Sequence, residues 1–115
     1  MKQHITPKQA SEITEEQFYS LFNNQHWGSF RRKDYANFHH KKVTIGKCIE
    51  VLGRSLDEIT NYHNEYGVNF RKYQYDKEGA IIHTEYYFET SIELMDALWE
   101  AVKSICAVFA IEKEV

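Results

Sequence analysis

Proline occurs once, at Pro7, and the glycines stand singly at 28, 46, 53, 67 and 79. The first scarcity leaves no Pro-rich linker between domains, and the second leaves no glycine-rich loop to cradle a phosphate. Cysteine is nearly as scarce, with Cys48 and Cys106 alone. Small secreted scaffolds carry roughly four to eight cysteines, so no disulfide framework is expected and the pair reads as buried thiols of a reducing cytosol. Long apolar runs are missing too. The most apolar stretch, Ala97 to Ile111, contains Glu100 and Lys103 and follows Glu93 and Asp96, which argues against a membrane span. Met1 to Pro7 has no apolar run and does not read as a signal peptide. Net charge is only −3 over 115 residues, too little to argue a nucleic-acid binder or an acidic mimic on charge alone.

What is present suits one α+β domain spanning residues 1–115. Hydrophobic residues make up 43% of the chain and aromatics 15%, too many for a disordered segment. Three capping boxes mark helix starts: Thr6-Pro7-Lys8-Gln9, Thr14-Glu15-Glu16-Gln17 and Thr90-Ser91-Ile92-Glu93. Pro7 suits the first helical position, and Ile13 with Phe18 makes a hydrophobic staple over the second start. Thr44 caps a further helix, with Ile45, Cys48, Ile49 and Leu52 on one stripe and Gly53 just past its end. Residues 66–75 alternate with period two, Asp76-Lys77-Glu78-Gly79 reads as a hairpin turn, and Ala80 to Glu89 returns. On that return strand Ala80, Ile82, Thr84, Tyr86 and Phe88 form the more apolar set, so they are expected to face a helix. The longest helix is predicted from about Ser91 to Ile111, burying Leu98 and Trp99 against Ile82, Tyr86 and Phe88. The expected fold is thus a small antiparallel hairpin or sheet packed against helices, with a long C-terminal helix. Two strands alone are marginal, so a third is expected from residues 25–43 or from a second copy of the chain.

Candidate chemistry is thin. Six histidines (4, 26, 39, 40, 63 and 83) show no zinc-ligand spacing and read as surface and loop side chains, so no metal and no cofactor is expected. Neither cysteine has the basic, exposed setting of a reactive thiolate, and no nucleophile elbow is present. Paired carboxylates, such as Glu93, Asp96 and Glu100, read as a solvated helix face. No catalytic residue is assigned, and the chain is not expected to be an enzyme.

Two surfaces remain as binding candidates. Residues 24–42 read as a long loop carrying Arg31, Arg32, Lys33, Lys41 and Lys42 against Asp34 alone, a local net of +4. Trp27, Phe30, Tyr35 and Phe38 are interleaved with those charges. Such a loop could stack bases and meet phosphates over 27–42, or it could pack its aromatics on the core and keep its charges wet. The hairpin is rich in tyrosine: Tyr62, Tyr66, Tyr73, Tyr75 and Tyr87 flank it. Tyrosine and arginine serve well as interface anchors, and strand edges recruit strands. The same tyrosines could equally cover the far face of the sheet within one chain. The partner-binding candidates are Arg31, Arg32, Tyr35, Arg71, Tyr73 and Tyr75.

The segments HITPKQASEITEEQFYSLF, KKVTIGKCIEVLG and ETSIELMDALWEAVKSI resemble small proteins encoded by phages and prophages of Gram-positive bacteria. The matching positions are Thr44, Ile45, Gly46, Ile49, Glu50 and Leu52, then Leu94 and the run Asp96 to Lys103. That resemblance implies a phage origin and a compact α+β sandwich, and it brings no catalytic residues with it. It also implies a mode of action: a small accessory protein in the bacterial cytoplasm that inhibits a host protein by binding it, as anti-CRISPR and other anti-defence proteins do. The expected partner is then a host protein such as a defence nuclease complex. A homodimer is a further expectation, nucleic acid bound through the basic aromatic loop is the alternative, and no membrane contact is expected.

Overall fold

The structure, a computed structural model, describes residues 1–22 and 33–113, with side chains as far as Cys106. The chain begins with α1 (Pro7–Ala10) and α2 (Glu15–Phe22). Both predicted caps form. The Thr6 hydroxyl accepts from Gln9 N at 3.1 Å while the Gln9 side chain accepts from Thr6 N at 3.0 Å. Thr14 and Gln17 repeat the exchange at 3.1 and 2.9 Å. Ile5 N donates to Val43 O at 3.2 Å, which seats the buried Ile5 beside the buried Val43.

The segment expected to be one loop holds more order than its pattern suggests. Residues 23–32 lie outside the described residues, but α3 (Tyr35–His39) and a 3₁₀ turn (His40–Lys42) follow. Tyr35, Ala36 and His39 give α3 a short inner face, and His39 is fully buried, packed against Phe18, Tyr19 and Phe38 rather than standing on the surface. Then comes α4 (Ile45–Leu52), capped by Thr44 and stopped at Gly53, whose φ of +51° suits a residue without Cβ. Cys48 and Leu52 face the core as expected.

The third strand comes from neither expected source. After a 3₁₀ turn at Gly53–Ser55, β1 (Leu56–Tyr62) pairs antiparallel with β2 (Glu65–Tyr75), which pairs antiparallel with β3 (Ile81–Ser91) in the order β1-β2-β3. His63 and Asn64 turn β1 into β2 with φ of 51° and 63°, the left-handed pair of a tight hairpin. A register shift between Leu56 and Glu58 makes Asp57 an extra residue, so Leu56 and Ile59 reach the same face. That face also carries Val68 and Phe70, both fully buried, under α5 (Leu94–Lys113). Here α5 buries Met95, Leu98, Trp99 and Val102. It starts at Leu94, later than expected, because β3 runs on to Ser91, whose hydroxyl accepts from Glu93 N at 3.3 Å.

The inward face of β3 is the reverse of the sequence expectation. Phe70 lies opposite Tyr87 and Val68 opposite Glu89, so Tyr87 turns inward and stacks on Phe70 at 5.6 Å. Ile82, Tyr86 and Phe88 point away from α5. Alternation along one strand ranks its two faces, but burial is decided by all three strands together. Val68, Phe70, Leu56 and Ile59 outweigh what β3 prefers by itself. The fold is α+β: a three-stranded antiparallel sheet with helices on one face. No helix among the described residues is long and apolar enough to cross a membrane.

Candidate functional site

The open face of the sheet is where the unusual chemistry collects. Its most exposed large side chains are Tyr62 (73% exposed), Tyr86 (72%), Ile82 (64%) and Phe88 (56%). Phe88 lies across Gly67 on the neighbouring strand. A Cβ built on Gly67 would sit 2.6 Å from the Phe88 ring and 2.6 Å from Thr60 Oγ1. Glycine at 67 is therefore what lets the Phe88 ring lie flat on the sheet.

At the outer end of β2 the same face carries a basic aromatic cluster. Tyr73 and Tyr75 lie 6.2 Å apart by ring centroid. The Arg71 and Arg54 guanidinium groups stand 5.7 and 5.8 Å from the Tyr73 ring centre. Arg54 also donates to the Tyr75 hydroxyl at 3.0 Å, and Arg71 donates to the Arg54 carbonyl at 3.5 Å. Asp57, the extra residue of the β1 bulge, pairs with Arg71 at 2.7 Å. The bulge thus aims a carboxylate at Arg71 and fixes its guanidinium over Tyr73. Arg54 is exposed, and among the described residues no carboxylate pairs with it.

Three of the six sequence candidates, Arg71, Tyr73 and Tyr75, come together in this cluster. Tyr35 is placed elsewhere. Its ring packs on Phe18 at 5.1 Å and its hydroxyl donates to Ile13 O at 2.5 Å. Burial, then the Glu15 carboxylate, pushes the Tyr35 phenol above its usual range. Arg31 and Arg32 lie outside the described residues. Sequence reasoning missed Arg54, which reaches the cluster only because β1 exists. It also put Ile82, Tyr86 and Phe88 inside; matching Tyr87 to Phe70 across the hairpin was the signal that would have turned them out.

Other chemistry is accounted for structurally. The Cys48 thiol is pushed up to about 12 by burial, so it is not a nucleophile at neutral pH. Cys48 and Cys106 are both buried and free. Among the described residues no group of three or more His, Cys, Asp or Glu could hold a metal ion. The carboxylates in and just before the first turn of α5, expected to be solvated, hold the N-terminal segment. Glu93 accepts from Lys2 N at 3.0 Å, and Asp96 accepts from Lys2 Nζ at 2.6 Å and Gln9 Nε2 at 2.7 Å. Glu100 pairs with Lys103 at 2.8 Å, while Glu12 accepts from Trp99 Nε1 and Lys103 Nζ, both at 3.0 Å. Burial pulls the Lys103 ammonium down, but Glu100 and Glu12 outweigh it and leave the group raised. On the inner side of the hairpin arm, Tyr87 donates to Glu85, and that bond holds the Glu85 carboxyl below its ordinary value, with His83 and Lys72 adding to it.

Searches against protein-family models, curated proteins and solved structures found no match to this chain.

Proposed function

We propose that the chain acts by occupying a partner protein through the open face of its sheet and carries out no reaction of its own. The observation that carries this reading is the set Tyr62, Ile82, Tyr86 and Phe88, four large side chains more than half exposed on one face. Scattered surface apolar groups are ordinary, whereas several large apolar side chains gathered on one face of a sheet suit an interaction site. Tyrosine brings a large contact area at low cost in side-chain entropy, and arginine brings charge and planar hydrogen bonding. With Asp57 already on Arg71, the cation left to a partner is Arg54. The fitting partner therefore offers an apolar ridge beside a carboxylate.

The resemblance in sequence to small phage and prophage proteins supports the biological setting. The chain is then a phage-encoded accessory protein acting in the bacterial cytoplasm as a stoichiometric inhibitor of a host protein. A defence nuclease complex, the target of anti-CRISPR proteins, is the leading class of partner. Affinity capture from host cells, with and without nuclease, tests the reading when run beside Tyr86→Ala and Arg54→Glu. A protein captured after nuclease treatment, and lost with either variant, is the expected result. Capture that ignores both variants while the fold is intact would overturn the proposed surface. Loss of all captured material on nuclease treatment would favour nucleic acid instead.

A further inference from the structure

The two edges of the sheet differ in a way that points to a second copy of the chain. Edge β1 is short, seven residues, and interrupted by the Asp57 bulge, with Asp57 and Glu58 beside the interruption. Short length, bulges and charge are the devices that keep an edge from pairing. Edge β3 lacks the first two over most of its length, and its charged side chains, His83, Glu85 and Glu89, leave one register in which unlike groups meet. It runs eleven residues, holds no proline, lysine or arginine, and its single register shift lies at the hairpin end, opposite Gln74 and Tyr75. Among the described residues no strand pairs with its outer side.

We propose that β3 pairs antiparallel with β3 of a second copy about a two-fold axis at Tyr86, forming one six-stranded sheet. The register follows from the strand's own charges. Centring on Tyr86 pairs Ile82 through Thr90, the whole stretch between the register shift and the end of the strand, and sets His83 of each copy opposite Glu89 of the other. Moving the axis to Glu85 puts the two Glu85 carboxylates opposite each other. Moving it to Tyr87 puts Glu85 opposite Glu89 twice. Like charges directly opposite are destabilising, so both neighbouring registers are disfavoured. Moving the axis two residues, to Thr84, avoids that clash but pairs only Ile82 to Tyr86. The length of the strand and its charge pattern therefore select the same arrangement.

The pairing also explains the hairpin arm. Residues 74–83 are exposed and extend beyond the part of the sheet covered by α5. In the dimer the arm of one copy lies beside Tyr87 to Ser91 of the other, and both are supported. On the open face Tyr86 meets Tyr86 of the second copy, with Thr84 opposite Phe88 on either side. The two aromatic faces then become one surface. This inference does not rest on the capture of a partner.

The test is the mass of the full chain in solution without any partner, from micromolar to millimolar concentration. The expected result is twice 13.7 kDa at the upper end. His83→Glu, an exposed substitution that sets carboxylates opposite Glu89 in two places, should weaken the dimer by about tenfold. Adding Glu89→Lys to it should restore the dimer. Tyr62→Lys, on the same open face but on β1, should leave the mass unchanged. A single-chain mass throughout would overturn the proposal. So would a dimer indifferent to His83→Glu, or one dissolved by Tyr62→Lys, which would mean face-to-face packing. A single-chain mass, or a dimer indifferent to His83→Glu, leaves the open face free, so neither bears on whether a host protein is captured.

Discussion

Phe70→Ala and Tyr86→Ala should differ in cost by several kcal/mol, although both remove an aromatic ring from the same pair of strands. Phe70 and Tyr86 sit on β2 and β3 one register step apart, because Phe70 is opposite Tyr87. Phe70 is fully buried, stacked on Tyr87 and covered by α5. Removing its ring forfeits the transfer of a whole aromatic side chain and leaves a cavity, a loss of about 3–5 kcal/mol. Tyr86 is 72% exposed, and its hydroxyl and most of its ring are already in water. Its removal should fall within about 0.5 kcal/mol. Urea unfolding reads both. At a slope of about 2 kcal/mol/M, Phe70→Ala moves the midpoint down by about 2 M and Tyr86→Ala by about 0.3 M or less. A domain of this size has about 5–15 kcal/mol in all, so Phe70→Leu is the milder companion should the alanine variant fail to fold. It should cost about 1–2 kcal/mol, still well above Tyr86→Ala. Measurements should be made at low protein concentration, where dimer formation does not add to the apparent stability. Equal costs for the two alanine variants, or a larger one for Tyr86, would mean that β3 turns its apolar set inward after all. The account of the open face would then fail with it.

Three further outcomes follow from single sites. Gly67→Ala should displace the Phe88 ring and the Thr60 hydroxyl and lose about 1 kcal/mol, and should cost less in a Phe88→Ala background, where only the Thr60 contact remains; fully additive losses in the double-mutant cycle would remove the Gly67–Phe88 contact. Cys48, its thiol raised to about 12, should resist iodoacetamide at pH 8 in the folded chain and react on unfolding, and labelling of the native chain at the rate of a free thiol would contradict its burial. Lys103 has a raised folded value, so its contribution is fully present below the unfolded lysine value of about 10.4 and is lost as pH rises through the folded one. Lys103→Met should therefore flatten the fall in stability toward alkaline pH, and an unchanged slope would remove the Glu12–Lys103–Glu100 link from the account.

Most of the helices were legible because their signals are local. A threonine followed three residues later by glutamine or lysine gave α1, α2 and α4 their starts, and each such bond is complete within four residues. The failures share a different cause. The start of strand β1, Leu56 to Glu58, does not stand out in the sequence because its bulge breaks the alternation at Asp57, and its turn into β2 uses His63-Asn64 rather than a glycine pair. Helix α3 is only five residues long, too short to show a period, and is held by tertiary contacts of Tyr35 and His39. Arg54 joins Tyr73 and Tyr75 across a separation of about twenty residues, through a strand that had not been recognised.

The reversed face of β3 is the most informative of these differences. Taken alone, β3 buries Ile82, Tyr86 and Phe88; in the sheet it exposes them and turns Glu85, Tyr87 and Glu89 toward the helical side. A strand whose local preference opposes its place in the fold carries a cost in the isolated chain. Conflicts of this kind are expected where a surface serves something other than folding. Both proposals remove the conflict in compatible ways. Pairing with a second copy satisfies the open backbone of β3 and brings two aromatic faces side by side, and a bound protein then covers the apolar side chains they display. The edge and the face are separate demands of one strand, because backbone groups lie in the plane of the sheet and side chains stand perpendicular to it. A dimer therefore leaves the face free for a partner. Substitutions at His83 and Glu89 should change self-association alone, whereas Arg54→Glu should change capture alone.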